Sequence, residues 1–196
     1  MSKRTSEKGA YVGRGGLKLE FALREFGLDV AGLVAADLGS NIGGFVDCLL
    51  QHGAAKVYAV DTSYGTLAWK LRQDPRVVVV ERTNALHVKL PEKVDLVTVD
   101  IGWTPQRLIL PHALSLLKPG RRRAVAGGHV LSLLKPQYEA EPAERHRGVV
   151  KPECLDAVVQ RTVAQLGESG IRVQRLARSP IAGGGGNVEF FIQTSA

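Results

Sequence analysis

The sequence predicts a single α/β domain: a mostly parallel sheet that ends in an antiparallel C-terminal strand, with helices on both faces. Three observations lead there. Short apolar runs alternate with amphipathic stretches along the chain, with no internal repeat and no dividing linker. The runs at 77–80 and 94–99 are dominated by β-branched residues, the composition of strands buried on both faces of a parallel sheet. The last run, NVEFFIQT, alternates Val188, Phe190 and Ile192 with Glu189, Phe191 and Gln193, and only a glycine-rich link (GGGG, 183–186) separates it from the strand before. A parallel partner needs a crossover of roughly a dozen residues or more, so this last strand is expected to run antiparallel.

Each element has its own signal. Residues 15–27 predict a helix, because Leu19, Ala22, Leu23 and Phe26 form an i, i+3, i+4, i+7 stripe that Gly27 closes. A short apolar strand follows at 33–37. The next helix, 44–52, carries Phe45, Cys48, Leu49 and His52 on one face and stops at Gly53. Residues 57–60 read as a strand, 66–72 as a short helix, and 77–80 and 94–99 as the two β-branched strands. A helix from 106 to 117 ends at Pro119-Gly120, and a strand follows at 129–134. Leu155, Val158, Val159, Thr162 and Leu166 mark an amphipathic helix, and 171–176 a strand before the last one.

Composition narrows the class. The chain has 196 residues, 44% hydrophobic and 23% charged, enough to bury a core without disulfides or metals. Its net charge of +7 is concentrated in two places, residues 1–18 and the KPGRRR segment at 118–123. Clusters like these suit a phosphate-bearing partner, although most such segments are simply solvated. No apolar run reaches the roughly 18–20 residues needed to span a bilayer, and the N-terminus lacks the apolar core of a signal peptide. Two cysteines far apart, Cys48 and Cys154, fit a reducing compartment, so a cytoplasmic location is expected.

In open α/β sheets ligands bind outside the carboxyl ends of the strands, which selects the residues to weigh. The first strand runs into DLGSNIGGF (37–45), where glycines allow a tight turn and the following helix offers unpaired N–H groups. The dinucleotide spacing G-x-G-x-x-G is absent. The second strand ends at Asp61, a carboxylate suited to ribose hydroxyls, and the third is followed by Asn84, an amide suited to an adenine edge. A nucleoside ligand without a pyrophosphate fits all three, although each residue alone is equally well explained as a turn or cap. Further along the edge, Lys18, Asp100, Lys135 and Glu189 are expected to converge, and a lysine there could deprotonate a hydroxyl nucleophile. A purely structural set of ion pairs is the alternative.

The blocks YVGRGGLKLEFALREFGLDV, DLGSNIGGFVDCLLQHGAAKVYAVD, LAWKLRQDPRVVVVERTNA, LLKPQYE and GNVEFF resemble the TlyA/hemolysin-A branch of the FtsJ-like RNA methyltransferases, from about residue 11 to the C-terminus. The resemblance implies a Rossmann-like methyltransferase fold over 13–196 behind a basic segment, 1–12. It also implies S-adenosylmethionine as cofactor, no metal, and methyl transfer to a ribose 2′-hydroxyl of ribosomal RNA. Carried over by motif, Lys135 is the general base, Asp100 and Glu189 orient it, and Lys18 is a second cation beside it. Gly39, Ser40, Gly43, Gly44, Phe45 and Asp100 line the cofactor loop, with Asp61 toward the ribose and Asn84 toward the adenine.

The chain departs from that pattern in several places. Family members usually carry an N-terminal S4 RNA-binding domain, whereas about ten residues precede the matching region in this sequence; the expectation is a separate RNA-binding partner in its place. DIGWTP stands where DVSF is usual, which puts Trp103 at the active edge, and GGGG replaces a usual lysine before NVEF. The segment 117–135, with Arg121–Arg123, is longer than usual. A non-RNA acceptor and a catalytically inactive RNA-binding module remain as alternatives. Cys48 and His52, i and i+4, have no second ligand pair and are expected to pack in the core. Trp69 is expected to pack; Trp103 is the better stacking residue, although packing is the commoner fate of both.

Overall fold

The computed structural model describes residues 10–119 and 128–195; Arg121–Arg123 and most of the basic N-terminal segment lie outside them. In chain order the elements are α1 (Gly15–Phe26), β1 (Val34–Leu38), α2 (Gly44–Gln51), β2 (Lys56–Val60), α3 (Trp69–Arg72), β3 (Val77–Val80) and β4 (Leu96–Val99). Then come α4 (Gln106–Ser115), β5 (His129–Leu134), a small hairpin of β6 (Arg145–His146) and β7 (Val149–Val150), α5 (Leu155–Glu168), β8 (Arg175–Arg178) and β9 (Phe190–Ser195). Seven strands form one sheet in the order β3-β2-β1-β4-β5-β9-β8. β1 to β5 pair in parallel, and β9 alone runs against its neighbours, β5 and β8. The expected fold class is thus the observed one.

Side-chain alternation divides the strands between two cores. On one face Leu19, Ala22, Leu23 and Phe26 of α1 and Phe45, Cys48 and Leu49 of α2 pack on Ala35, Val57, Leu96, Leu133 and Phe191. On the other, Ile109, Leu110 and Ala113 of α4 and Val159 and Leu166 of α5 cover Ala36, Leu38, Val97, Val99, Val130 and Ile192. Both sheet faces are covered, which is why the parallel strands read as continuous apolar runs rather than alternating ones.

The boundaries differ from expectation where local hydrogen bonds compete with the sheet. β8 begins at Arg175 rather than near residue 171, because the Ile171 amide donates to Leu166 and completes the end of α5. α3 is a single turn from Trp69, since the Ala68 amide bonds back to Ile42 and holds the preceding residues as a loop. α4 stops at Ser115, and Leu117 instead bridges Val94. The hairpin of β6 and β7 has two-residue strands, too short for a periodic signal, and sequence patterning missed it.

Phe191, the second residue of β9, is fully buried, with its ring 6.0 Å from that of Phe45. Truncation of Phe191 to Ala is expected to cost about 3–5 kcal/mol in urea unfolding; a loss below about 1 kcal/mol would mean that β9 does not anchor this core.

Candidate active site at the carboxyl edge of the sheet

The parallel strands all end on one edge, and the chain narrows there into a cleft lined by Gly13, Arg14 and Gly15, by Asp37, Gly39, Ser40, Asn41 and Ile42, by Gly44 and Phe45, and by Asp100. Gly39 has a φ of 91°, and a Cβ there would come within 2.5 Å of the Asp100 carbonyl oxygen. Only glycine lets the β1–α2 turn lie this close to the end of β4. A larger cleft of about 440 Å³, between residues 88–93 and His112 to Leu116, has none of the edge's convergent groups.

Asp37 is the most unusual group in the cleft. It is the next-to-last residue of β1, with 1% of its surface exposed; Oδ1 accepts from the Thr98 hydroxyl at 2.7 Å, and Oδ2 has no protein partner. Burial pushes its pKa up to about 7, the Thr98 hydrogen bond opposes that rise, and the charges of Asp100 and Asp61 add to it. A buried acceptor left without a donor is costly in a free protein and is what a cationic or donor ligand would satisfy.

Asp100 follows β4 and Lys135 follows β5, and the two form an ion pair at 2.6 Å. Leu134 pairs with Phe190 as the last rung between β5 and β9, so Lys135 and Glu189 leave the sheet side by side. Glu189, almost fully buried, forms its ion pair with Lys18 of α1, whose side chain is nearly as buried. The four residues expected together are thus at one edge, arranged as two ion pairs. The reading that both carboxylates orient Lys135 is corrected: Asp100 holds Lys135, whereas Glu189 holds Lys18.

Gln106 ties together the segments before and after Lys135. Gln106, at the start of α4, accepts from the Ser132 hydroxyl at 2.6 Å, and its amide nitrogen reaches the Leu133 carbonyl at 3.4 Å. Its backbone N–H donates to Glu139 at 2.7 Å, capping α4 from across the site. Burial raises the Glu139 pKa, and the hydrogen bond from Gln106 and the charge of Arg107 oppose that rise. Trp103 adds a second link: its ring lies 4.9 Å from that of Tyr138, yet it is 83% exposed.

A strap formed by residues 179–188 flanks Glu189. The Ser179 amide donates to the Glu189 carbonyl, and the Asn187 side chain donates to Gly148 and Gly184 and accepts from Val150. Arg14 reaches the Ala182 carbonyl at 2.9 Å. A Cβ at Gly183 would sit 2.0 Å from Glu189 Oε1, so a side chain there would have to displace the carboxylate from its present position.

Of the expected cofactor residues, Gly39, Ser40, Gly44, Phe45 and Asp100 line the cleft together. Gly43 is the left-handed N-cap of α2, backed by Leu67 and Leu71. Asp61 stands at the rim, accepting from the Asn41 amide at 2.7 Å and from the Ser63 amide and hydroxyl. Burial works against its charge, but these hydrogen bonds hold its pKa below the ordinary value. Asn84 stands outside the cleft lining, exposed, its side-chain oxygen accepting from Leu86 in a local turn. Trp69, expected to pack, is 72% exposed, because Leu71 is the residue of α3 that faces the core. Sequence reasoning placed Asp37 at the start of the glycine turn but gave it no binding role, and it missed Gly13, Arg14, Gly15 and the Gln106–Glu139 link. A lone carboxylate closing an apolar strand was a usable signal for Asp37; the others are brought in by packing.

Among the described residues no group of His, Cys, Asp and Glu is arranged to hold a metal ion, and no helix is long and apolar enough to cross a membrane. The sequence profile of the family described as FtsJ-like methyltransferase matches residues 11–196. The chain is 43% identical over 191 residues to YqxC of Bacillus subtilis, covering 93% of this chain and 64% of that protein. It is 39% identical over 197 residues to the 16S/23S rRNA (cytidine-2′-O)-methyltransferase TlyA of Mycobacterium tuberculosis, covering 96% and 69%. It spans about two thirds of the length of both relatives. A solved structure from Streptococcus thermophilus, described as a candidate hemolysin, superposes with a TM-score of 0.85 at 37% identity, over 97% of this chain and 68% of that one.

The Asp37 carboxyl keeps its proton in the folded chain up to a pH of about 7, whereas an unfolded aspartate releases it near pH ~4. Between those values the folded state binds more protons, so Asp37 lowers stability as the pH rises through that window. Asp37→Asn is therefore expected to raise the melting temperature at pH 8 by several degrees and to leave it unchanged below pH ~4. An equal shift at both pH values would rule out this titration as the cause.

Proposed function

The chain belongs to the FtsJ-like methyltransferase family, and from that premise we propose that it transfers a methyl group from S-adenosylmethionine to a ribose 2′-hydroxyl of ribosomal RNA. The observation that carries the reading is the Lys135–Asp100 pair at the mouth of the cleft that Asp37 lines. The residues present fit the cofactor. Asp37 Oδ2 is a buried acceptor in need of a donor, which suits a cationic amino group. The glycine turn ahead of α2, whose N-cap has no side-chain cap, offers backbone N–H groups to a carboxylate. Asp61 at the rim suits ribose hydroxyls.

S-adenosylmethionine, when bound, supplies a methyl group activated by the sulfonium. The chain's own residues do the rest. Lys135 Nζ, once it has released its own proton to solvent, takes the proton of the acceptor hydroxyl as the oxygen attacks the methyl and the sulfonium sulfur leaves with the bonding pair; Asp100 sets the direction of that nitrogen. The buried Lys18–Glu189 pair fixes the neighbouring wall, so the acceptor oxygen enters a preorganised polar edge. Much of the rate then comes from holding oxygen and methyl in line. The exposed Trp103 ring beside Tyr138 offers an acceptor base a stacking surface at the same edge. TlyA of Mycobacterium tuberculosis, by its name, methylates a cytidine 2′-oxygen of rRNA, which supports rRNA as the acceptor.

Lys135→Ala is expected to reduce labelled methyl transfer to ribosomal subunits or naked ribosomal RNA by about 100-fold or more, with cofactor affinity in calorimetry nearly unchanged. Equal loss of both would sink the role given to Lys135, and no incorporation into any RNA by the wild type would shift the acceptor to another class of molecule. Asp37→Asn should behave the opposite way to Lys135→Ala, weakening cofactor binding in a more stable protein.

A further inference from the structure

Four non-glycine residues among those described have left-handed backbones: Asn41, Arg82, Trp103 and Arg147. Asn41 and Trp103 belong to the cleft and its stacking edge, and Arg82 lies over the Tyr64 ring, 4.2 Å from its centroid. Arg147 is the fourth, and neither cleft nor core uses it. It lies in the two-residue turn between β6 and β7, where Arg147 and Gly148 have φ of 50° and 79°. Positive φ at both positions is the geometry of a type I′ hairpin turn, which strongly prefers Asn, Asp or Gly first. An arginine there holds a strained backbone in order to present its side chain, and such outliers cluster where a ligand is met.

The rest of the hairpin is tied to the site through its backbone and through Arg145. Arg145 donates to the Gln137 carbonyl in the turn that follows Lys135. Gly148 and Val150 are bound by Asn187, two residues before Glu189. The hairpin therefore bridges the two halves of the polar edge, and its tip, His146 and Arg147, is exposed. The nearby carboxylate of Glu144 is committed to Arg161 through two hydrogen bonds, 2.8 and 2.7 Å. An exposed guanidinium on a hairpin anchored beside that edge, with the neighbouring Glu144 already paired, is complementary to a phosphate.

We propose that the β6–β7 hairpin is a phosphate-binding arm for the acceptor RNA, with Arg147 as its contact to the sugar–phosphate backbone near the target ribose. This rests on the reading of RNA as the acceptor and adds a surface to it. The contact is sequence-independent and positions the strand; it takes no part in the chemistry.

The experiment uses the full chain with Arg147→Gly and Arg147→Lys, and two probes: fluorescent polyuridylate for binding across a salt series and ribosomal RNA for methyl transfer. Glycine relieves the left-handed strain, so Arg147→Gly should melt at the wild-type temperature or above, which removes misfolding as an explanation. Its affinity for polyuridylate should fall several-fold, and the slope of log affinity against log salt should become shallower by about 0.7, the loss of one phosphate contact. The KM for ribosomal RNA should rise with kcat and cofactor affinity unchanged, and Arg147→Lys should keep most of the binding. An unchanged salt slope and KM in Arg147→Gly, with a wild type that binds RNA, overturns the arm alone. A wild type that neither binds polyuridylate nor methylates ribosomal RNA overturns the arm and the RNA reading together.

Discussion

The direction of β9 is the constraint on which the site depends. In a wholly parallel sheet every strand brings its last residue to the carboxyl edge. β9 enters beside β5 in reverse, with Phe190 opposite Leu134, so its beginning lies at that edge and Glu189 emerges next to Lys135. From there Glu189 meets Lys18, which α1 brings over the same sheet face. A crossover helix before β9 would place Glu189 at the opposite edge. The glycine-rich strap that stands in place of such a helix is short, and the Glu189 carboxylate lies where a Gly183 side chain would begin.

A site of this kind carries a stability cost. The buried Lys18–Glu189 pair gives up hydration that its mutual attraction restores only in part. Asp37 is buried with one oxygen unpartnered, and burial itself pushes its pKa toward neutrality. Strain adds to this, with left-handed backbones at Asn41, Arg82, Trp103 and Arg147 in loops that follow the carboxyl ends of β1, β3, β4 and β5. The two apolar layers on either face of the sheet offset these terms, so strained loops and buried charges rest on a rigid support.

Much of the fold was legible from local pattern. The stripe Leu19, Ala22, Leu23, Phe26 with Gly27 behind it gave α1 and its end, and Gly27 does adopt the left-handed C-cap. The β-branched runs gave β3 and β4. Boundaries failed where one backbone group had two possible partners: Ile171 closes α5 rather than opening β8. The β6–β7 hairpin was invisible because two-residue strands have no period. In the site, the four charged residues were legible as a group, but their pairing was not. Spacing along the chain does not say which carboxylate an ammonium meets, and the exposure of Trp69 and Trp103 likewise depends on which neighbours the helices already bury.

The amino-acid sequence by itself determined the α/β class, the antiparallel end, the glycine turn after the first strand and the set of charged residues at strand ends. Each of these follows from local rules: periodicity, the length of a link, the backbone freedom of glycine. Tertiary structure alone decided that Lys18 pairs with Glu189 and Lys135 with Asp100, that Asp37 is left with an unpartnered oxygen, and that Gln106 and Glu139 lock the turn around Lys135. The reason is that burial and pairing are set by residues distant in the chain. Lys18 and Glu189 lie 171 positions apart, and only the register of β9 against β5 and the seating of α1 on the sheet bring them together.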